Sequence, residues 1–514
     1  MSAEKLLKQI PVTEITSQKN QFDNSLEAIR SRHSQELIVG LCGAVGAGVK
    51  RLKNALVEEL TKANYQVEHI RLSDLICSTQ NDSEQIKALS GYERYEKLQD
   101  LGDKLRSENS HTTVADMGIR RISLIRNSLF GNNEAGKAVK ITKKVAYIVD
   151  QIKHHEEVEL FQEVYKNNFY LLGLLRTQAE REQNLKDENL SILEITKLIE
   201  RDRNSNDKYG QHVEKAIEKS DYFIRNLDEL EELEKSISRF VKLIHGVGNI
   251  TSKRDERGLY SAYSASLASA CLSRQVGAAI MDEHGQIVST GCNDVPTFKG
   301  GLYDADSSSD KRCYNKGGCH NDKHKRVLKD QMKDILQSEG VEEYSRVADV
   351  LFNNSKAKAL IEYSRSIHAE MDAILALARN TSSGTMGKTL YCTTYPCHNC
   401  ARHIIAAGIE KVVYIEPYEK SLAMDLHNDA LCHVDTFSEN KVVLQNFEGV
   451  SPQRYADFFI YNKSRKDAEG NPTKYQIPNS SHVDPQPLDC YVDYETKIID
   501  IANVAVGDDL FTNT

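Results

Sequence analysis

The 514-residue sequence lacks the features that would place it in a membrane, outside the cell or on nucleic acid. No apolar run is long enough to span a bilayer, which excludes an ordinary transmembrane helix. The polar start, residues 1–5, has no apolar signal-peptide core, so we expect a cytoplasmic protein. Positive charge is not in excess either: the formal net charge of −9 argues against general attachment to nucleic acid or to an anionic membrane surface.

Tryptophan is absent and proline is scarce, with only 9 residues, but the overall composition is globular. The sequence is 40% hydrophobic and 27% charged, as in soluble folded proteins. Its 11 cysteines form no tight framework, which favours reduced thiols and metal ligands over disulfides. The chain is too long for one ordinary core, so we expect two domains.

Two short motifs carry the most specific signal in the sequence. Residues 367–370 and 395–400 together give H-x-E followed by P-C-x-x-C. Three protein ligands, His368, Cys397 and Cys400, would leave one tetrahedral zinc position open for water, which indicates a catalytic site. Zinc lowers the pKa of a bound water from 15.7 toward about 7. Glu370, outside the ligand set, would then carry protons between the water, a ring nitrogen and a departing amine.

The residues around these motifs predict the elements that hold them. Apolar spacing over 367–378 predicts a helix that begins close to the histidine of the motif. A strand is predicted over 390–394 and a helix over 401–407, so that Cys397 and Cys400 lie at a helix N-terminus, where the dipole favours thiolate. A lone C-x-x-C is more often a redox dithiol or half of a structural zinc site. The upstream H-x-E and the preceding proline favour the deaminase-type signature instead.

Further stretches resemble the deoxycytidylate deaminase family. Residues 273–281 and 286–296 are similar to the opening hairpin of that family, and the similarity extends over roughly 256–459. The resemblance implies zinc-dependent hydrolysis of a free deoxycytidine nucleotide, with attack at C4 of cytosine. It also implies that Asn293 holds the sugar and that Arg274 helps to hold the phosphate. A turn-forming role at a strand end is the alternative for Asn293.

The N-terminal part carries a second pattern, an apolar strand that leads from Glu36 into a glycine-rich loop and then an amphipathic helix over 52–63. This is the context of a phosphate-binding P-loop. The candidate phosphate-binding residues are Gly43, Gly46, Gly48 and Lys50. Val49 stands where the motif has lysine, and Lys50 stands where it has a magnesium-binding hydroxyl. We therefore expect nucleotide binding without phosphoryl transfer, with an active kinase and a pure scaffold as alternatives.

Predicted strands over 145–150, 170–175 and 220–226 extend the resemblance to P-loop nucleoside monophosphate kinases. The fused arrangement is similar to the bacterial anti-phage cytidylate deaminases of the AvcD/DcdV type. That resemblance implies activity on dCTP as well as dCMP, depletion of the dCTP pool during phage infection, and restraint by an inhibitor, a nucleotide or an RNA. A homo-oligomer is also expected.

The predicted fold class is α/β with two domains and a tail. Residues 1–245 are predicted as a P-loop NTPase-like parallel sheet domain with a regulatory role. Residues 256–464 are predicted as a cytidine deaminase-like α/β/α domain, and 465–514 as a C-terminal tail. Glycines and small polar residues over 245–252 mark the junction.

A basic insert over 310–326 allows several interpretations. Its possible metal ligands are Cys313, Cys319, His320 and His324, which suit a second, closed zinc site. Its cations could instead meet substrate phosphates or an RNA, and an ordinary solvated loop is the third possibility.

Two other function classes compete with free-nucleotide deamination. A nucleic-acid cytidine or adenosine base editor would use the same zinc site but would need a basic strand-binding groove with stacking aromatics. The acidic charge balance argues against it. A non-enzymatic nucleotide sensor is the other alternative, and the intact set of catalytic groups argues against that one.

Overall fold

The computed structural model describes residues 33–131, 141, 143–203, 210–225, 229–380, 384–418, 421–460, 466–473, 476–480, 495 and 498. Its strands form two six-stranded sheets. They are β1 (Glu36–Gly43), β2 (Gln66–Arg71), β3 (Val145–Asp150), β4 (Phe169–Leu174), β5 (Tyr222–Ile224), β6 (Gly277–Met281), β7 (Ile287–Cys292), β8 (Thr389–Thr394), β9 (Lys411–Glu416), β10 (Leu431–His433), β11 (Val442–Asn446) and β12 (Gly449–Val450).

Helices cover the faces of both sheets. They are α1 (Val49–Lys62), α2 (Leu72–Ser78), α3 (Ser83–Ala88), α4 (Gly91–Glu108), α5 (Thr113–Phe130), α6 (His155–Tyr165), α7 (Gln178–Asp187), α8 (Ile192–Arg203), α9 (Val213–Glu218), α10 (Leu230–Ile244), α11 (Arg254–Ser266), α12 (His320–Ser338), α13 (Tyr344–Asn353), α14 (Ala369–Asn380), α15 (His398–Ala406), α16 (Ala423–His427) and α17 (Tyr455–Phe459). Within the described residues, none of them combines the length and apolar character needed to cross a membrane.

The first sheet has the order β12-β5-β4-β1-β3-β2, and all its neighbours are parallel except β12. Strands β1, β3 and β4 are buried along their whole length, as expected for parallel strands covered on both faces. The three strands predicted downstream of the glycine-rich loop are present as β3, β4 and β5.

The second sheet has the order β10-β11-β9-β8-β6-β7. Strand β6 is antiparallel to β7 and β8, whereas β8, β9, β11 and β10 run parallel. The hairpin expected from the family resemblance is therefore present as β6–β7. Helix α14 packs against β7 and β6, and α11 packs against β6 and β8. The molecule is thus mixed α/β with two sheets rich in parallel strands.

The two sheets are joined by a strand that follows the second sheet in sequence. Strand β12 lies within the predicted 256–464 segment, yet it pairs antiparallel with β5 at the edge of the first sheet. The carboxylate of Glu256 accepts from Val450 N at 3.0 Å and from Arg239 Nη2 at 2.8 Å, which ties α11 to β12 and α10. Phe223 and Phe447 meet edge to face with ring centroids 6.0 Å apart. The predicted junction at 245–252 is a real break between α10 and α11, but the two halves share apolar core.

The C-terminal segment also returns to the first sheet. Glu495 is buried and accepts from Arg126 and from Tyr165 Oη, the latter at 2.7 Å. Ile498 is buried in the same apolar core. The guanidinium of Arg126 is buried as well and also pairs with Glu36 at 2.8 Å. Removal of either carboxylate would therefore leave part of a buried positive charge without its partner. The sequence analysis assigned 465–514 only as a tail and did not predict this buried carboxylate.

Candidate functional site

The predicted zinc ligands converge in the structure. His368 immediately precedes α14, Cys397 is the N-cap of α15, and Cys400 lies in the first turn of α15. His368 Nδ1 is 3.3 Å from the sulfur of Cys397 and 3.3 Å from that of Cys400. All three ligand atoms lie within 4.8 Å of one another. Ligands around tetrahedral zinc would have sulfur and nitrogen about 3.6 Å apart, so this arrangement fits the ion with little movement.

Hydrogen bonding sets the protonation of the two thiols. The Cys400 thiol donates to Cys397, which lowers the pKa of Cys397 to about 4 and raises the pKa of Cys400. The backbone N–H of Cys400 also points at the Cys397 sulfur, 3.4 Å away, as expected at a helix N-terminus. The hydrogen bond to Cys397 raises the pKa of His368. Metal binding requires both thiols as thiolates and the imidazole as a neutral ring, so uptake of an ion would release protons.

Glu370 lies in the first turn of α14 beside the three ligands. Its side chain is buried, and burial raises the pKa of its carboxyl group above the ordinary glutamate value. It lines the same cavity as His368 and Cys397, a space of about 200 Å³. A carboxyl group beside the predicted water position can act as a general acid and base, and the raised pKa favours its protonated form more than in an ordinary glutamate.

Arg274 and Asn293 both line this cavity. The guanidinium of Arg274 lies 5.5 Å from the ring centroid of Tyr418 and 3.4 Å from the Glu416 carboxylate. Asn293 Oδ1 accepts from Val276 N at 2.7 Å, and its Nδ2 donates to the carbonyl oxygen of Arg274 at 2.9 Å. The side-chain amide of Asn293 therefore holds the loop that carries Arg274, which is the turn-forming role considered for this residue. The contact of Asn293 with a sugar stays a prediction.

Comparison with known proteins places this site in a family. Residues 252–416 match the family model described as the cytidine and deoxycytidylate deaminase zinc-binding region. The deoxycytidylate deaminase of Enterobacteria phage T4 is 32% identical over 163 residues, which are 32% of this chain and 78% of the phage protein. That of Enterobacteria phage T2 is 36% identical over 163 residues, 32% of this chain and 80% of the phage protein. The chain belongs to the deoxycytidylate deaminase family.

Solved structures of similar proteins were also found. The dCMP deaminase from the cyanophage S-TIM5 in apo form is 18% identical, with 38% of this chain and 99% of that chain covered and a TM-score of 0.22. The structure titled APE1195 is 14% identical, with 41% and 96% covered and a TM-score of 0.24.

Several residues of this family site were missed by the sequence motifs. The additional residues that line the cavity include Asn321, Ser364, Ser366, Thr394 and Tyr418. Tyr418 follows β9, whose carboxyl end lies beside that of the parallel strand β8, which leads to Cys397. Because carboxyl ends of adjacent parallel strands meet at one edge, this neighbour could have been inferred from the strand order. Asn321 comes from the basic insert, which thus reaches the cavity.

The possible metal ligands of the insert do not form a close group of three. Among the described residues, only two groups of three ligand atoms lie close enough for one ion, the His368 group and a His111–His154–Glu156 group. Cys313 is in a separate 3-10 turn, and His324 packs against Tyr363 with ring centroids 5.3 Å apart. Cys319 is the N-cap of α12, and His320 is its first residue. The Cys313 thiol lies near the backbone of His320 and near Cys319, but no three ligand atoms of Cys313, Cys319, His320 and His324 lie within 4.8 Å of one another, so a second zinc site stays a prediction.

The glycine-rich loop has the local geometry of the prediction. Strand β1 ends at Gly43, and Gly46 and Gly48 adopt positive φ angles of 78° and 86°. Helix α1 begins at Val49, three residues earlier than predicted, and Lys50 is exposed on it.

The loop is nevertheless occupied by another part of the chain. The backbone N–H of Val45 donates to the Asp202 carboxylate at 2.6 Å. Lys153 Nζ bridges the other Asp202 oxygen at 2.8 Å and the carbonyl of Gly43 at 2.9 Å. Asp202 is buried. An internal carboxylate thus accepts the hydrogen bond of one backbone amide of the glycine-rich loop.

Proposed function

We propose that this protein is a zinc-dependent hydrolase that converts a free deoxycytidine nucleotide, dCMP or dCTP, to the deoxyuridine nucleotide and ammonia. One observation carries the proposal: His368, Cys397 and Cys400 converge beside the buried Glu370, at a cavity that Glu370 itself lines. These residues lie inside the segment that matches the deaminase family model.

Zinc would be held by His368, Cys397 and Cys400. When bound, it supplies the acidity that makes water a nucleophile at neutral pH. Their donor set of one imidazole and two thiols suits zinc and leaves a coordination position open. Glu370 is not one of the three ligands, so its carboxylate is available for proton transfer.

Glu370 would carry the protons of the reaction. Its carboxylate would accept a proton from the attacking water and deliver it to N3 of the cytosine ring. It would then take the proton of the new C4 hydroxyl and give it to the amino group, so that the C4–N bond breaks, the C4 carbonyl forms and ammonia leaves. The raised pKa of the buried carboxyl group supports this shuttle, because it makes the carboxylate a stronger base toward the attacking water than an ordinary glutamate.

Arg274 would bind the substrate phosphate, and Asn293 would contact the sugar. The side chain of Arg274 is about half exposed, at 47%, and is oriented by Glu416 and Tyr418, so it is both accessible and held at the cavity. Asn293 would act partly through its hydrogen bonds to the loop that carries Arg274.

We further propose residues 1–245 as a regulatory P-loop kinase-like domain, 256–464 as the deaminase domain and 465–514 as a tail. The candidate phosphate-binding residues of the regulatory domain remain Gly43, Gly46, Gly48 and Lys50. For a phosphate to bind there, the Asp202 carboxylate would have to release the Val45 N–H. In this proposal the protein is a cytoplasmic homo-oligomer that depletes dCTP during phage infection and is restrained by a nucleotide or RNA inhibitor.

The test is direct product analysis. Purified full-length protein is incubated with the mono-, di- and triphosphates of cytidine and of deoxycytidine, and ammonia and uracil nucleotides are quantified. We expect turnover of dCMP, dCTP or both, and none in a Glu370→Gln protein prepared in parallel. Equal turnover by the two proteins, or none by zinc-loaded wild type on every substrate, would contradict the proposal.

A further inference from the structure

The first half of the molecule contributes a carboxyl group close to the proposed phosphate-binding residue. Helix α9 ends at Glu218 and packs against β9 of the second half. A cavity of about 250 Å³ lies between the two halves at this place. Glu218 lines it from α9, and the segment 416–418 lines it from the end of β9 and the residues that follow. The carboxyl group of Glu218 is thereby brought to the segment that holds Arg274.

Glu416 is the direct partner of Arg274. It is the last residue of β9, in register with Thr394 of β8, and its carboxylate accepts from Thr394 Oγ1 at 2.8 Å. The same carboxylate oxygen lies 3.4 Å from Arg274 Nη1. Thr394 and Arg274 line the cavity that contains Glu370, whereas Glu416 lines the cavity between the halves. Glu416 therefore lies between the two cavities and orients Arg274 from the side of the first half.

Glu218 adds a second negative charge behind this ion pair. Its charge repels the carboxylate of Glu416 and attracts the guanidinium of Arg274. Burial, together with the charge of Glu416, raises the pKa of Glu218 to about 7, while Arg274 lowers it. Because Glu218 keeps contact with solvent, these interactions are partly screened. The amount of negative charge behind Arg274 thus changes near neutral pH.

Glu416 and Arg274 are the charged neighbours that affect Glu218 most. Their electrostatic effects on its pKa exceed those of the charged residues of its own helix. The next residue, Lys219, is turned toward α6, where it pairs with Glu159 at 3.0 Å. The other titratable or charged groups of α9 and of the surrounding cavity wall, several of which have further contacts in the chain, are Glu214, Lys215, Arg176, Arg181 and His433.

We propose that Glu218 is a positioning residue of the deaminase site: acting on Glu416 and Arg274, its carboxylate controls how much of the Arg274 charge is available to a substrate phosphate. The inference rests on the proposed function, in which Arg274 binds that phosphate. Ionised Glu218 draws the guanidinium toward α9 and partly neutralises it, so affinity for the phosphate falls. Neutral Glu218 leaves Arg274 paired with Glu416 alone, so affinity rises.

The direction of the effect depends on pH. Glu218 is mostly neutral at about pH 6 and mostly ionised at about pH 8. At the higher pH, the parent should therefore bind dCMP and dCTP more weakly than Glu218→Gln does, by roughly two- to fivefold, as for charge pairs that remain partly open to solvent. At the lower pH the two proteins should bind alike. dCTP carries more negative charge than dCMP and should show the larger change.

The binding experiment uses full-length, zinc-loaded Glu370→Gln protein as the parent, with and without Glu218→Gln, so that no probe is consumed. Dissociation constants of dCMP, dCTP and deoxycytidine are measured by calorimetric titration at both pH values. Titration of the phosphate of the probe is common to both proteins, so the ratio of their constants reports on Glu218. Deoxycytidine lacks a phosphate, and its ratio should stay at one. Salt at 1 M should shrink the ratio for the nucleotides, because the Debye length is then about 3 Å.

Two further proteins test the route of the effect. Glu200→Gln is the matched control, because Glu200 is an exposed carboxylate of α8 outside the lining of both cavities, and its ratios should stay at one. In an Arg274→Gln background, Glu218→Gln should no longer change the dissociation constants. In the active enzyme, Glu218→Gln should lower KM at the higher pH by the same factor and should change kcat less, since Glu370 is untouched.

Three results would overturn the inference and leave the proposed function intact. The nucleotides could bind with the same constants with and without Glu218→Gln at the higher pH. Deoxycytidine could show the same ratio as the nucleotides, which would indicate a change in the shape of the site. The ratio could persist in Arg274→Gln, which would mean that Glu218 acts on the phosphate directly. If neither nucleotide binds to any of the zinc-loaded proteins, the proposed function fails and the inference fails with it.

Discussion

The Val45 backbone N–H and the Asp202 carboxylate form a buried hydrogen bond of 2.6 Å, although 157 positions separate them in the sequence. The contact fixes the glycine-rich loop against α8, and the side chain of Val45 packs into an apolar cluster with Leu185 and Leu198. The charge of Asp202 is balanced by Lys153 at 2.8 Å. The glycine-rich loop is thus held in place by a carboxylate of the chain itself.

The first prediction concerns this closure. Asp202→Asn should lower the free energy of unfolding by about 1–3 kcal/mol, because the substitution leaves Lys153 and Val45 N without their charged acceptor. Asp100→Asn is the matched control: Asp100 pairs with Arg201 but is 58% exposed, so its loss should cost only about 0–1 kcal/mol. Urea denaturation of the three proteins measures both values. Equal stability of Asp202→Asn and wild type would show that the contact does not hold the loop.

The second prediction separates metal binding from proton transfer. Glu370→Gln should retain zinc and the fold, since the three predicted ligands are untouched, while deamination falls by at least about 10²–10⁴-fold. Glu410→Gln, an exposed carboxylate at the start of β9, should retain full activity. Elemental analysis and initial rates are measured on the same preparations. Loss of zinc in Glu370→Gln would mean that the carboxylate belongs to the ligand set.

The third prediction concerns the ligands themselves. Cys400→Ser should lower both zinc content and activity, because a site with three protein ligands has no spare donor. Cys432→Ser is the matched control, since Cys432 is a buried thiol of β10 that lies outside the cavity lining. One zinc per chain is expected in the wild type and in the control. A fully metallated, active Cys400→Ser protein would exclude this ligand set.

Local sequence patterns predicted the parts of the molecule that depend on short stretches of chain. The strands β3, β4 and β8, the helix after His368 and the capping position of Cys397 follow from apolar spacing and from motif geometry. Each of these features is determined by residues that are close together in the sequence, within one or two helical turns or one strand.

Contacts between distant segments were not predictable in this way. The pairing of β12 with β5, the docking of Glu495 onto Arg126 and the Asp202 closure each join residues that are far apart in sequence. A polar residue such as Glu495 is predicted to be exposed when only its local sequence is considered. Its burial follows from its contact with Arg126, which is far away in the sequence. The cavity lined by Arg176, Glu218 and Tyr414 is formed by both halves, so neither segment's motifs could indicate it.

The last prediction concerns Asp221 at the seam of the two halves. Its carboxylate accepts from Leu171 N at 2.7 Å, lies 3.2 Å from Arg454, and is buried, and burial raises its pKa from 3.8 to about 6. The folded protein therefore binds a proton at this group more tightly than the unfolded chain does. The contribution of Asp221 to the free energy of unfolding should then be largest below about pH 4 and should fall as the pH rises toward 6.

The two pKa values of Asp221 correspond to a loss on the order of 3 kcal/mol across that window. Asp221→Asn cannot titrate, so the difference in unfolding free energy between wild type and this variant should change with pH between about 4 and 6 and be constant above 7. Asp457→Asn removes a neighbouring negative charge that contributes to the raised pKa of Asp221, so it should move the pH-dependent change to lower pH without abolishing it. Urea denaturation at intervals of half a pH unit provides the measurement. A pH-independent difference would show that Asp221 is ionised throughout, with Arg454 outweighing its burial.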